Sequence, residues 1–291
     1  MERADSTAAA SDGIAPTLLE LPQGAACGLG AEPFGFRHRL VGHDAFDPDA
    51  LGALCDSVPA AWIVNHDAER DLVTPRGTLI ADDRRPSDVV RDLASTCNWF
   101  VVRHLEHISP YRGLLDSTVD EASATVVPSD GRMLDRGATV FLGSPHAVVP
   151  VHIDRHHNFL LQIIGTKEFG VGSFDDASVQ AREIERNFGP RPAGSDLLPT
   201  HRTTFRLGPG DGVYIPANAF HWASGGPEAS VAFSCAFRTE MTNRAELIYE
   251  FNAFMGRLRL PHRAPSGGAT DAIKASAVRL RRRARRRATG S

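Results

Sequence analysis

Apolar and polar positions alternate along this chain in two registers, one of period two and one of period near 3.6. The run Phe159 to Ile164 is apolar but for Gln162, which reads as a strand buried on both faces, and Gly165-Thr166 closes it with a turn. Pro209-Gly210-Asp211-Gly212 reads as a hairpin-type turn opening a short β segment, Val213 to Ile215. Asn98 to Val102 and Ser230 to Phe237 are further strands. Asp47-Pro48 places an N-cap before a proline at the first helical position and predicts a helix through about Ser57. Pro86-Ser87-Asp88 opens a second helix through about Ser95, and Ser109-Pro110 a third ending near Asp120. Thr242 to Arg259 carries Leu247, Ile248, Phe251 and Phe254 at helical spacing. Residues 173–203 are charged, contain Pro190, Pro192 and Gly194, and read as a long insert between strands. A segment of that kind is either a lid that shapes a binding site or a surface excursion.

Composition narrows the class. A chain of 291 residues with 42% hydrophobic and 23% charged residues builds a globular core, and a net charge of -3 makes no global case for nucleic acid. Cys27, Cys55, Cys97 and Cys235 are far apart with no Cys-x-x-Cys pair, which argues against a zinc ribbon and for a reduced, cytoplasmic setting. No stretch reaches the roughly 18 apolar residues of a membrane span, and Met-Glu-Arg-Ala-Asp lacks the order of a secretory signal. The expected organisation is a disordered leader over residues 1–32, an α/β flanking segment over 33–125, a barrel over 126–262 and a basic, disordered tail over 263–291. The run Arg279 to Arg287 suits nucleic acid or anionic lipid, although a tail with no specific partner is the simpler reading.

The chemistry concentrates in four residues. His152 and Asp154 are two apart on a strand and share a face. His221, after the second β segment, supplies an imidazole from a neighbouring strand. Two His and one carboxylate occupy one face of an octahedral metal and leave three positions open, as in non-haem Fe(II) oxygenases. Alone, His-x-Asp is a common accident; its place before a buried strand, with a second strand-borne His downstream, gives it weight. Lys167 is one of only two lysines among 32 basic residues, so a compact ammonium on a flexible stem stands where the chain otherwise writes Arg. His104 and His107 have no third ligand nearby and read as surface residues. His156 continues the alternation towards the metal, and the rim of the pocket is the other place for His156 and His157. Trp99 and Arg103 are candidates to face the pocket, and Arg238 is a reserve anion anchor.

On these residues the chain resembles the JmjC-type cupins, and within them the asparaginyl hydroxylase of hypoxia-inducible factor and its bacterial cupin-like relatives. The matching motifs are His152-x-Asp154 with His221, Gly165-Thr166-Lys167, Asn158-Phe159 and Gly210-Asp211 through Tyr214-Ile215-Pro216, under a third of the chain. The resemblance implies a mainly β fold with flanking helices, a double-stranded β-helix or jelly roll. It implies Fe(II) on His152, Asp154 and His221, and 2-oxoglutarate with its far carboxylate on Lys167 and with Asn158 and Ser234 beside it. Oxygen is then used to hydroxylate a protein, peptide or small-molecule substrate; demethylation is the same step on an N-methyl group. Val149 stands where the family often has a cosubstrate-binding Thr, no tyrosine substitutes for it, and Ser234 stands where some relatives carry Asn. The resemblance also implies a homodimer through the C-terminal helix. Two other readings stay open: a non-catalytic cupin that senses a metal or metabolite and uses its arginine tail on DNA, and a cupin enzyme of other chemistry, which would use more His and a Glu.

Overall fold

The computed structural model describes residues 17–23, 30, 32–68, 71–73, 84–125, 131–188, 195, 197–265 and 267–289. Two antiparallel sheets face one another. The larger is ordered β1 (Leu19–Glu20), β2 (Phe34–His38), β10 (Asp211–Ile215), β7 (His157–Ile164), β12 (Ser230–Arg238), β5 (Leu134–Gly143), β4 (Asn98–Val102), β3 (Ile63–Asp67). The smaller is ordered β6 (Val148–Ile153), β11 (Phe220–Gly225), β8 (Lys167–Ser173), β9 (His201–Leu207). The fold is mainly β with flanking helices, as the resemblance implies.

The side-chain period of two divides each strand of the large sheet between two cores. Phe159 and Leu161 of β7, with Phe233, Cys235 and Phe237 of β12, turn outward and are buried under three helices. These are α1 (Pro48–Ser57), α2 (Pro86–Arg91) and α3 (Tyr111–Thr125). Phe46 wedges between Phe233 and Tyr111, and the Tyr111 hydroxyl donates to the Ala45 carbonyl at 2.7 Å. The intervening residues Leu160 and Ala232 turn inward, where they meet Phe169, Val171, Val213 and Ile215 inside the barrel. The apolar residues Phe159, Leu160, Leu161 and Ile163 of β7 are what this two-sided burial requires.

The termini depart from expectation. Leu19–Glu20, within the expected disordered leader, pairs with β2, and the backbone N–H groups of Leu18 and Leu19 donate to the Glu121 carboxylate at 2.8 and 2.9 Å. The rest of that leader lies largely outside the described residues. The flanking segment does more than pack on the barrel: β2 pairs with β10, and β4 with β5, so it widens the same sheet. The second helix stops at Arg91 and gives way to a 3-10 turn at Leu93–Ser95, while the third continues to Thr125. The Gly210 turn does not close a hairpin, because β9 and β10 belong to different sheets; it carries the chain across the sandwich.

The expected disordered tail is also overturned. Ala269–Thr289 forms a helix, α6, that packs on α5 (Glu240–Arg257) through Leu247, Ala275 and Val278, with Phe251 beside them. Arg282 reaches Glu246 at 2.8 Å and also Glu250, which Arg281 joins. Ala and Arg are strong helix formers, and the docked apolar stripe adds the tertiary contact that charge counting alone misses. The side of α5 that carries Leu247 and Phe251 is thereby covered within the chain.

Candidate active site

β6 and β11 are neighbours, and their register sets His152 directly opposite His221. The two rings lie 4.1 Å apart between centroids, and His221 Nε2 is 3.6 Å from Asp154 Oδ2. One ligand atom from each of His152, Asp154 and His221 falls within 4.8 Å of the others. The backbone selects the tautomers. His152 Nδ1 lies 2.8 Å from the Pro150 carbonyl and His221 Nδ1 lies 3.0 Å from the Ala219 carbonyl. A carbonyl oxygen only accepts, so each Nδ1 carries the proton and each Nε2 presents its lone pair. Two neutral imidazoles and a carboxylate form a donor set that fits Fe(II).

The surroundings hold this set still. Asn218 adopts the left-handed conformation (φ 63°), and its N–H donates to the Asp154 carbonyl at 2.7 Å, joining the turn before β11 to the end of β6. The Phe169 ring stacks on His221 with centroids 5.8 Å apart. On the opposite face of the small sheet, Val151, Ile153, Phe220 and Trp222 are buried against Ile184 and Phe188. Ile184 belongs to α4 (Ala177–Asn187), which occupies part of the expected loop at 173–203. Among its described residues that insert backs the metal strands from outside; none of them lines the cavity. Its amphipathic helix was hidden by its charge and by the prolines that follow it. Gly170 is needed here, because a Cβ would stand 2.0 Å from the Trp222 ring.

A cavity of about 680 Å³ opens inside the barrel, and His152, Asp154, His221, Lys167, Asn158 and Ser234 all line it. Lys167 pairs with Gly225, four residues along β11 from His221, so the two share a face some ~13 Å apart at roughly 3.3 Å per residue. A lysine stem plus a five-carbon diacid spans that interval. Burial pulls the Lys167 ammonium down to about 8. The turn that starts β8 depends on Gly165 at φ +68°, where a Cβ would meet the Ala229 carbonyl oxygen at 2.4 Å. Ser234 Oγ donates to Asn158 Oδ1 at 2.9 Å, which commits the amide oxygen and leaves the NH2 as what Asn158 offers the cavity.

Val149 lines the cavity as an apolar residue where a hydroxyl was sought. Thr139, opposite Ser234 in the β5–β12 pairing, also lines it and brings a hydroxyl that motif reading missed; the alternation Gly137, Thr139, Phe141 on β5 was the available signal. Trp99, Arg103, His156, His66 and Glu106 line the cavity too. His157 does not: it is buried on the helix side, its Nδ1 2.7 Å from the Tyr214 hydroxyl and its ring stacked on Phe237. Counting from His156 by two, the strand turns His157 to the opposite face. Arg155 also turns away, 4.3 Å over the Phe188 ring. His104 and His107 are exposed beside Glu106, at 3.4 and 3.6 Å, and take no part in a metal-type cluster. Arg238 is held by Glu246 at 2.6 Å.

This sandwich of two antiparallel sheets, with a two-His-one-carboxylate set inside it, is consistent with a JmjC-type cupin jelly roll. Residues 129–245 match the JmjC domain family. No curated protein matches it in sequence. Among solved structures it is similar to YcfD of Escherichia coli, at 18% identity over 90% of this chain and 68% of that one, with a TM-score of 0.52. It is equally similar to YcfD described as a ribosomal oxygenase in complex with cobalt and 2-oxoglutarate: 18% identity, 91% and 68% coverage, TM-score 0.52. The complex of that oxygenase with cobalt and succinic acid gives 17%, 91%, 68% and 0.51. At these identities the likeness is one of fold.

Proposed function

We propose that the chain hydroxylates a C–H bond of a protein side chain, with His152, Asp154 and His221 holding Fe(II) and Lys167 anchoring 2-oxoglutarate. The observation that carries this reading is the convergence of all four side chains on one cavity, with the triad and the ammonium on one face of adjacent strands. Bound iron and cosubstrate supply the oxidising chemistry: one oxygen atom of O2 enters the substrate as hydroxyl, and 2-oxoglutarate leaves as succinate and CO2. The protein's share is ligation, orientation and exclusion of water. His152 and His221 present lone pairs because their Nδ1 protons are tied to backbone carbonyls. Lys167 pairs with the far carboxylate of the cosubstrate in a screened setting, where a charge-assisted bond is strong. Asn158, with Ser234 and Thr139 beside it, offers donors along the same wall.

The cavity has room for a substrate group, and the likeness to YcfD favours a protein over a free metabolite. At about 680 Å³ the cavity holds a cosubstrate and still leaves room for an inserted side chain at the end lined by Trp99, His66 and Arg103. The structurally similar YcfD is described as a ribosomal oxygenase. Incubating the iron-loaded protein with 2-oxoglutarate, O2 and a cell extract depleted of small molecules, then mapping +16 Da modifications against a His221→Ala control, tests this. Hydroxylated peptides confined to the wild-type reaction support the reading. Succinate release that responds to metabolite pools but never to protein would refute the substrate class.

A further inference from the structure

We propose that the outward face of α6 is a docking surface for single-stranded nucleic acid, bound through its phosphates. From Ala272 to the end the chain has eight basic and no acidic side chains, so the preceding 271 residues sum to -11 of the total of -3. The helix sorts these charges. Its inner face buries Asp271, Lys274, Ala275 and Val278, and Arg281 and Arg282 are consumed by Glu246 and Glu250 of α5. Arg279, Arg283 and Arg287 are spaced i, i+4, i+8, all exposed, and make a single cationic stripe with a step of about 6 Å.

That stripe has no structural role to explain it. Like charges at i, i+4 destabilise a helix, and the favourable effect of cations on the helix dipole is confined to the last turn, short of Arg279 and Arg283. Beside the arginines, Ile273 and Leu280 are 70% and 69% exposed, one heptad apart on the same outer side. Charge and apolar surface together select the occupant. A duplex presents phosphates but hides the faces of its bases, so it offers the exposed Leu280 and Ile273 no stacking partner. A flexible single strand can lay successive phosphates on the arginines and turn unstacked bases against Leu280 and Ile273. The assignment is independent of the oxygenase reading, since it involves no cavity residue.

The test is fluorescence anisotropy of a labelled oligouridylate of about 15 nucleotides with the full chain. Three phosphate contacts at about 0.7 each predict a log–log salt slope near -2, or roughly 15-fold weaker binding between 50 and 200 mM salt. The Arg279→Gln/Arg283→Gln/Arg287→Gln variant, which spares the bridges to α5, is expected to bind at least tenfold more weakly with an unchanged melting temperature. Should the triple variant misfold, Arg283→Gln alone lowers the slope by about 0.7. Equal binding by variant and wild type would overturn the proposal. So would a preference for duplex DNA, capture by phosphatidylserine vesicles without capture of the oligonucleotide, or a charge-dependent dimer that excludes it.

Discussion

Replacing Lys167 with alanine removes the one ammonium inside the barrel-lining set and leaves the metal donors untouched. Lys167 sits four residue pairs from His221 along β8 and β11, so under the proposed function it meets the far end of the cosubstrate and not the metal end. A hydrogen bond to a charged group is worth about 1.5–3 kcal/mol, which converts to a loss of tenfold to about 150-fold in 2-oxoglutarate affinity. Burial adds a pH signature. With the ammonium lowered to about 8, the protonated, carboxylate-binding form prevails below that pH and is lost above it. Wild-type affinity is therefore expected to hold from neutral pH to about 8 and to fall approximately tenfold per unit beyond. The alanine variant should be flat over the same window. The assay is the KM for 2-oxoglutarate from succinate release across pH, alongside iron stoichiometry, which should not change. A variant with wild-type KM and wild-type pH dependence would refute the anchoring role.

His152→Ala or Asp154→Ala should abolish iron retention while the melting temperature stays near wild type, since both side chains face the cavity; full iron loading in either variant would contradict the ligand assignment. Gly170→Ala should cost about 1–3 kcal/mol or more, because the new Cβ meets the Trp222 ring at 2.0 Å; an unchanged denaturant midpoint would show that the ring yields freely. Deleting residues 265–291 uncovers Leu247 and Phe251 and should lower stability by about 2–3 kcal/mol, roughly 5–10 °C in melting temperature. Succinate formation below that melting point should persist, because α6 contributes nothing to the cavity.

The metal strands were legible because period-two burial is a strong local signal: β4 was bounded to the residue, and His152, Asp154 and His221 fell on inward positions. Lys167 stood out by rarity against an arginine background. What escaped reading depended on tertiary contacts. Leu19 and Glu20 of the leader became a strand because β2 offered an open edge, and Glu121 receives the N–H groups of Leu18 and Leu19. The arginine tail became a helix because Glu246 and Glu250 on α5 neutralise two of its charges and Leu247 covers its apolar side. Thr139 was missed for a different reason: its β5 neighbours carry no motif, and only the pairing with β12 shows which wall it joins.

The central claim is that one cavity holds iron and 2-oxoglutarate for oxidation, and its most direct test is a reconstitution. The protein is loaded anaerobically with Fe(II) and 2-oxoglutarate, exposed to O2 with candidate protein substrate, and succinate is counted against bound iron. The account predicts succinate from wild type, none from His221→Ala, and restoration in Lys167→Ala only at raised 2-oxoglutarate. Full iron occupancy with no succinate under any of these conditions, or equal succinate from wild type and His221→Ala, would contradict it.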